Sequence, residues 1–125
     1  MAGLQKILLV EDNSQLQGIY KLFLEQNKFT VALASDGDEA LEMAKKFKPD
    51  LVFLDIMIPK KDGLEVLKLL RHNPDYNCTK AKIVLLTNLG DASTVSPEVH
   101  EDMDGYVIKA EIMLTDLLDI IKSLE

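Results

Sequence analysis

The sequence predicts a single α/β domain over residues 1–125, built as a doubly wound parallel sheet of five strands with five helices on its two faces. Short apolar runs alternate along the chain with segments whose apolar residues recur at helical spacing. The runs are continuously apolar, as in strands buried on both faces of a parallel sheet. The chain has 125 residues, of which 47% are hydrophobic, enough for one packed core.

Five apolar runs mark the predicted strands, and each gives way to polar or charged residues. The run KILLV leads into Glu11 and Asp12, and the run LVFL leads into Asp55. The predicted strands cover residues 6–10, 29–34, 51–54, 81–86 and 104–108.

Amphipathic segments between these runs mark the helices. Asn13 or Ser14 is expected to cap the first helix, whose inward stripe is Leu16, Ile19, Tyr20, Phe23 and Leu24. The other predicted helices cover residues 39–47, 64–70, part of 90–103, and 112–124. The segment 90–103 contains poor helix formers and Pro97, so we expect only a short helix there.

Composition restricts the possible partners and the compartment. The net charge of -7 is the wrong sign for binding nucleic acid or an anionic membrane surface. The single cysteine, Cys78, cannot form an internal disulfide, and the N-terminus has no signal-peptide pattern. Charged residues interrupt every apolar run before the ~20 residues that a bilayer span needs. We therefore expect a cytoplasmic protein with no direct contact to nucleic acid or membrane.

The residues that end the predicted strands carry the chemistry. Glu11 and Asp12 follow the first strand, Asp55 the third, Thr87 the fourth and Lys109 the fifth. Because the carboxyl ends of parallel strands share one edge of the sheet, these side chains should converge. Three carboxylates favour a hard cation such as Mg²⁺, and a carboxylate can accept a phosphoryl group. Thr87 and Lys109 would then bind the phosphoryl oxygens.

Two enzyme classes with similar folds fit less well. A dehalogenase-type phosphatase needs a second aspartate two residues after the nucleophile, where this chain has Met57. A flavin-binding protein needs a phosphate loop after the first strand, where Glu11 and Asp12 would repel the phosphate. Both rival classes are disfavoured by the charges at these positions.

The chain resembles the receiver domain of two-component response regulators over its whole length. The likeness is carried by ILLVEDN (7–13), LVFLDIMIPKKDGLEVL (51–67), IVLLTN (83–88) and GYVIK (105–109). The resemblance implies a flavodoxin-like fold of strand order 2-1-3-4-5. It also implies that Asp55 receives the phosphoryl group from a sensor histidine kinase or a phosphotransfer protein.

The resemblance further implies a role for each matching residue. Asp12, Asp55 and the backbone carbonyl of Met57 would ligate Mg²⁺ directly, and Glu11 would act largely through bound water. Thr87 and the aromatic residue Tyr106 would move on phosphorylation and so form the switch. Pro59 and Gly63 would shape the loop after Asp55.

Two positions depart from the usual family pattern. Ala110 follows Lys109 where the family usually has a proline with a cis peptide bond, and we expect a trans bond here. Asn88 replaces the usual small residue after Thr87 and would narrow access to Asp55.

Met57 and Leu89 cannot orient an attacking water, so we expect slow loss of the phosphoryl group.

These inferences indicate a phosphorylation-activated switch and not a turnover enzyme. Since no residue follows Glu125 in this chain, we expect a separate protein to carry the output. The alternative is an interaction module that works without phosphorylation and has retained the acidic pocket.

Overall fold

The computed structural model describes residues 5–56, 58, 63–76, 78–87, 101–108 and 113–125, with only the backbone of Thr87. The strands are β1 (Lys6–Val10), β2 (Thr30–Ala34), β3 (Leu51–Asp55), β4 (Lys82–Thr87) and β5 (Gly105–Ile108). The helices are α1 (Ser14–Gln26), α2 (Gly37–Phe47), α3 (Gly63–His72) and α4 (Leu114–Leu124), and a 3-10 turn covers Pro74–Tyr76. Every strand lies within one residue of its predicted bounds.

The five strands form one parallel sheet in the order β2-β1-β3-β4-β5, which confirms the predicted flavodoxin-like topology. The register pairs Val10 with both Ala34 and Leu54. Thr87 pairs with Ile108 at the same edge. The carboxyl ends of all five strands therefore meet along one edge of the sheet.

The sheet divides the core into two clusters, which confirms helices on both faces. The α2 and α3 side contains Leu8, Val10, Ala34, Ala40, Leu41, Ala44, Val52, Leu54, Val66, Leu67, Leu70, Cys78, Ala81, Ile83 and Leu85. The α1 and α4 side contains Ile7, Leu9, Tyr20, Leu24, Val31, Leu51, Phe53, Val84, Leu86, Leu117 and Ile121. Alternate residues of each strand point to opposite faces, so the continuously apolar runs supply both clusters.

Polar caps fix where the first two helices begin. Asn13 Oδ1 accepts hydrogen bonds from the backbone N–H groups of Gln15 and Leu16, at 2.9 and 3.1 Å. Asp36 Oδ1 accepts from Glu39 N at 2.8 Å. Each cap satisfies an N–H group that has no partner within its helix. Both helices thus begin a few residues after β1 and β2, close to the carboxyl edge of the sheet.

One part of the predicted α1 stripe is wrong. Ile19 is 49% exposed, whereas Gln17 is 8% exposed. Successive helical residues are rotated by about 100°, which places Ile19 well away from the face shared by Tyr20 and Leu24. Gln17 is buried because its amide finds oxygen partners at the ends of β1 and β2. Apolar spacing alone could not identify this polar contact.

Some predictions fall on residues outside the described ranges. They include most of the predicted helix within 90–103, of which Glu101 and Asp102 are described and helical, and the bond between Lys109 and Ala110. Besides this two-residue helical end, the part of the chain that the structure describes contains four of the five predicted helices. None of these helices has the length and hydropathy needed to cross a bilayer.

Cys78 is fully buried among apolar residues of the α2 and α3 cluster. Burial raises the pKa of its thiol from 9.0 to about 11, and the Arg71 charge opposes this only in part. The thiolate population at pH 8 is then about a hundredfold below that of an unperturbed thiol. We expect iodoacetamide to alkylate Cys78 at least about a hundredfold more slowly in the folded protein than after unfolding in urea. Equal rates in the two states would contradict the burial of Cys78.

Candidate functional site

Three carboxylates meet at the carboxyl edge of the sheet. Glu11 follows β1 and Asp55 ends β3, and the pairing of Val10 with Leu54 sets these two residues side by side. One carboxylate oxygen from each of Glu11, Asp12 and Asp55 lies within 4.8 Å of the others. Glu11 is fully buried and Asp55 is 2% exposed, whereas Asp12 is exposed. The cluster therefore has two enclosed carboxylates and one that faces solvent.

Hydrogen bonds from the neighbouring strand and helix fix the Glu11 backbone and side chain. Its N–H donates to the Ala34 carbonyl of β2 at 3.0 Å, and its Oε2 accepts from Asn13 N at 3.1 Å. Its carbonyl accepts from Gln17 Nε2, which also lies 3.2 Å from the Ala34 carbonyl and 3.0 Å from Ser35 Oγ. Sequence reasoning missed Gln17, whose signal is a polar residue on the inward face of an amphipathic helix.

The segment after Asp55 is held by a close approach of α3 to the end of β3. Ile56 N donates to the Leu86 carbonyl at 3.1 Å, and Gly63 N donates to the Ile56 carbonyl at 2.8 Å. A Cβ atom on Gly63 would lie 2.5 Å from both the Asp55 carbonyl oxygen and the Ile56 Cα. Only glycine fits there, which gives the glycine implied by the family resemblance a steric reason.

The other predicted site residues lie partly outside the described residues. The Thr87 backbone ends β4 and pairs with Ile108, the last residue of β5. The side chain of Thr87, and all of Met57 and Lys109, are outside the described ranges. The register therefore brings the carboxyl ends of β4 and β5 together, and the assigned roles of these three residues stay predictions.

Tyr106 lies in β5, where its backbone pairs with Leu85 of β4. It is 45% exposed, with much of its ring at the protein surface. Leu85 precedes Thr87 by two residues, so Tyr106 lies two residues before the carboxyl end of β5. This placement is compatible with the switch position that the family resemblance implies.

Arg71, near the end of α3, connects that helix to the start of β5. Its Nε donates to the Asp102 carbonyl at 2.9 Å, and its Nη2 donates to Asp104 Oδ2 at 2.9 Å. Its Nη1 donates to the carbonyls of Thr79 and Ala81 at 3.1 and 2.9 Å. Sequence analysis did not identify Arg71, because three of its four acceptors are backbone carbonyls and the fourth, Asp104, lies 33 residues away along the chain.

His72 is the next and last residue of α3. Its side chain is 62% exposed, and its Nε2 lies 2.8 Å from Asp102 Oδ1. The ring is therefore largely in water, with one carboxylate partner that sequence analysis did not foresee.

The donor set at the acidic cluster suits Mg²⁺. All three groups are carboxylates, which are hard oxygen ligands, and they lie close enough to share one ion. Three negative charges at this separation repel one another, and a divalent cation offsets that repulsion. The exposure of Asp12 leaves a solvent side on which an ion could keep some of its waters. The residues thus fit the ion that the sequence predicted.

Comparisons with known proteins agree with this geometry. Residues 7–122 match the response regulator receiver domain family. The probable transcriptional regulator ycf27 of Guillardia theta is 36% identical over 105 residues, covering 84% of this chain and 39% of that protein. The DNA-binding response regulator MtrA of Mycolicibacterium smegmatis is 33% identical over 105 residues, covering 84% and 44% respectively. The chain thus spans about two fifths of these relatives.

MtrA is named as a DNA-binding response regulator, which conflicts with the expectation of no direct nucleic acid binding when that expectation is extended to such longer relatives. A solved structure also matches, the receiver domain of the sensor histidine kinase PA1611 from Pseudomonas aeruginosa with magnesium in its active site cleft. It has a TM-score of 0.80 and 27% identity, and the match covers 98% of this chain and 97% of that one.

By its sequence match, its strand order and the carboxylates at its sheet edge, the chain belongs to the response regulator receiver domain family.

Proposed function

We propose that this chain is a cytoplasmic phosphorylation switch in which Asp55 accepts a phosphoryl group with the help of Mg²⁺. The observation that carries the proposal is the meeting of Glu11, Asp12 and Asp55 within 4.8 Å at the carboxyl edge of the sheet. Membership of the receiver domain family makes a signalling role the natural setting for such a site. The chain would act as a signalling domain and not as a turnover enzyme.

Asp55 is the acceptor because of its place in the cluster. It ends a fully buried strand and is 2% exposed, so its backbone is fixed and its carboxylate is shielded from competing water. An oxygen of this carboxylate forms the new bond to phosphorus while the bond from phosphorus to the donor nitrogen of a phosphohistidine breaks. The proposed donor is a sensor histidine kinase or a phosphotransfer protein.

Glu11, Asp12 and Asp55 would hold the metal, with the Met57 carbonyl as a further ligand. When bound, Mg²⁺ supplies positive charge that offsets the negative charge of the carboxylates and of the phosphoryl oxygens. Glu11 is fixed by the hydrogen bond from Asn13 and would act mainly through water. The magnesium reported for the related receiver domain of PA1611 supports this choice of ion.

The phosphoryl group would change the surface beside β5. Thr87 ends β4 and Lys109 follows β5, so both would bind phosphoryl oxygens, and Tyr106 would change position as Thr87 moves. The resulting surface would alter affinity for an output protein. Because relatives of about twice this length include a named DNA-binding regulator, a DNA-binding output region is one form that this output would take.

The test measures whether Asp55 is modified. The protein is incubated with MgCl₂ and phosphoramidate, and its intact mass is recorded before and after. We expect a gain of one phosphoryl group in the native chain and none in Asp55→Asn. The matched control is Asp119→Asn, which makes the same charge change at an exposed site on α4. This variant should gain one phosphoryl group, as the native chain does.

Two further measurements sharpen the result. Removal of Mg²⁺ with EDTA should abolish the mass gain, and beryllofluoride should shift the amide resonance of Tyr106 in the native chain only. A native chain that shows neither modification nor shift would instead favour the interaction module that works without phosphorylation. Modification that persists in Asp55→Asn would place the acceptor elsewhere.

A further inference from the structure

Gln17 connects α1 to the acidic cluster through the main chain and not through a carboxylate. Its side chain is 8% exposed, and its Nε2 donates to the Glu11 carbonyl. The same nitrogen lies 3.2 Å from the Ala34 carbonyl and 3.0 Å from Ser35 Oγ. A single buried amide therefore joins the ends of β1 and β2 to the first turn of α1.

The Glu11 carbonyl belongs to the peptide unit that also carries Asp12. A peptide bond is planar, so the direction of the Glu11 carbonyl fixes the position of the Asp12 N and Cα atoms. The Glu11 N–H is already bonded to Ala34 O at 3.0 Å. With the Gln17 bond added, both polar groups of the Glu11 main chain are anchored. The direction in which the chain leaves β1 is then determined.

Asp12 depends on this anchoring more than its two partners do. Glu11 and Asp55 are enclosed by the protein, whereas Asp12 is exposed to solvent. The backbone must therefore bring its carboxylate within 4.8 Å of the other two. Loss of the Gln17 bond would free the peptide unit that sets this position.

We propose that Gln17 is a positioning residue for the metal site, which acts by fixing the peptide between Glu11 and Asp12. The proposal rests on the proposed function, since it presupposes that the acidic cluster holds Mg²⁺. Gln17 does not contact the ion. It keeps the solvent-facing ligand Asp12 in register with the enclosed ligands.

The test compares Mg²⁺ affinity with stability across a set of variants. Gln17→Met keeps a side chain of similar length and removes both N–H donors, while Gln17→Ala leaves room for water to satisfy the freed carbonyls. Mg²⁺ is titrated into each folded variant, and dissociation constants are taken from amide chemical shifts. We expect both variants to bind Mg²⁺ about tenfold more weakly, as when a contact supporting a metal ligand is lost.

Two controls on α1 separate positioning from general loosening of the helix. Gln15→Met makes the same chemical change at an exposed position, and Leu24→Val weakens the buried side of the helix away from the cluster. Both should bind Mg²⁺ with unchanged affinity, although Leu24→Val should lower the thermal midpoint.

The outcomes distinguish the two proposals. Native affinity in Gln17→Met and Gln17→Ala would overturn the positioning role and leave the metal site intact. An equal loss of affinity in Leu24→Val would also overturn it, because any weakening of α1 would then suffice. If Mg²⁺ changes no amide chemical shifts in the native chain, the proposed metal site is refuted, and the positioning role of Gln17 is refuted with it.

Discussion

Replacing Arg71 with methionine is expected to lower the free energy of unfolding by about 3 kcal/mol, because several hydrogen bonds of a charged donor are lost together. The guanidinium group donates to three backbone carbonyls and to Asp104 Oδ2, all between 2.9 and 3.1 Å. The Arg71 side chain is 17% exposed and that of Asp104 is 26% exposed, so water replaces these bonds only in part. Urea unfolding followed by circular dichroism measures the change.

The matched control for this prediction lies on the same helix. Lys68→Met removes one positive charge from an exposed position of α3 and should change the free energy of unfolding by less than about 0.5 kcal/mol. Arg71→Lys keeps the charge but cannot reproduce the planar set of donors, and it should fall between the two. If Arg71→Met and Lys68→Met unfold at the same urea concentration, the contacts of Arg71 do not stabilise the fold.

Gly63→Ala is expected to lower the free energy of unfolding by about 2 kcal/mol, the usual cost of forcing extra atoms into a packed region. The new Cβ would lie 2.5 Å from the Asp55 carbonyl oxygen and from the Ile56 Cα, both main-chain atoms that cannot rotate away. Either α3 or the end of β3 must move. Because Asp55 would move with β3, modification by phosphoramidate should also slow by about tenfold or more.

Gly18→Ala makes the same substitution in α1 and is expected to stabilise the protein. Gly18 lies inside α1, and a Cβ there meets nothing within 4 Å. Alanine favours a helix interior over glycine, so this variant should gain roughly 0.5 to 1 kcal/mol. Destabilisation by Gly63→Ala and stabilisation by Gly18→Ala would attribute the effect to the contact with β3. A gain of stability in both variants would show that the end of β3 moves to accommodate the new Cβ atom without a loss in the free energy of unfolding.

The register of the sheet explains why so much of the candidate site was predictable. Apolar runs with a polar residue at their end mark the carboxyl ends of strands, and parallel pairing brings those ends together. Glu11, Asp12 and Asp55 could therefore be assigned to one place from their positions along the chain alone. The structure confirms that these three carboxylates meet.

The contacts that support the site were not predictable in the same way. Gln17 was overlooked in favour of Ile19, because apolar spacing does not reveal a buried amide whose partners are carbonyls at the ends of two strands. Arg71 was missed because the chain returns to α3 only after many residues, at Asp102 and Asp104. Hydrogen bonds to backbone atoms leave no pattern in the identity of the partner residues.

The sequence by itself determined the fold class, the strand order through family resemblance, and the three carboxylates, because hydrophobic periodicity and strand-end chemistry are local properties of the chain. Only the tertiary structure decided that Gln17 and not Ile19 is buried, why residue 63 has no room for a Cβ, and which side chains hold the carboxylates in place. These properties depend on distances between segments far apart in sequence, and such distances are fixed only when the helices pack on the sheet.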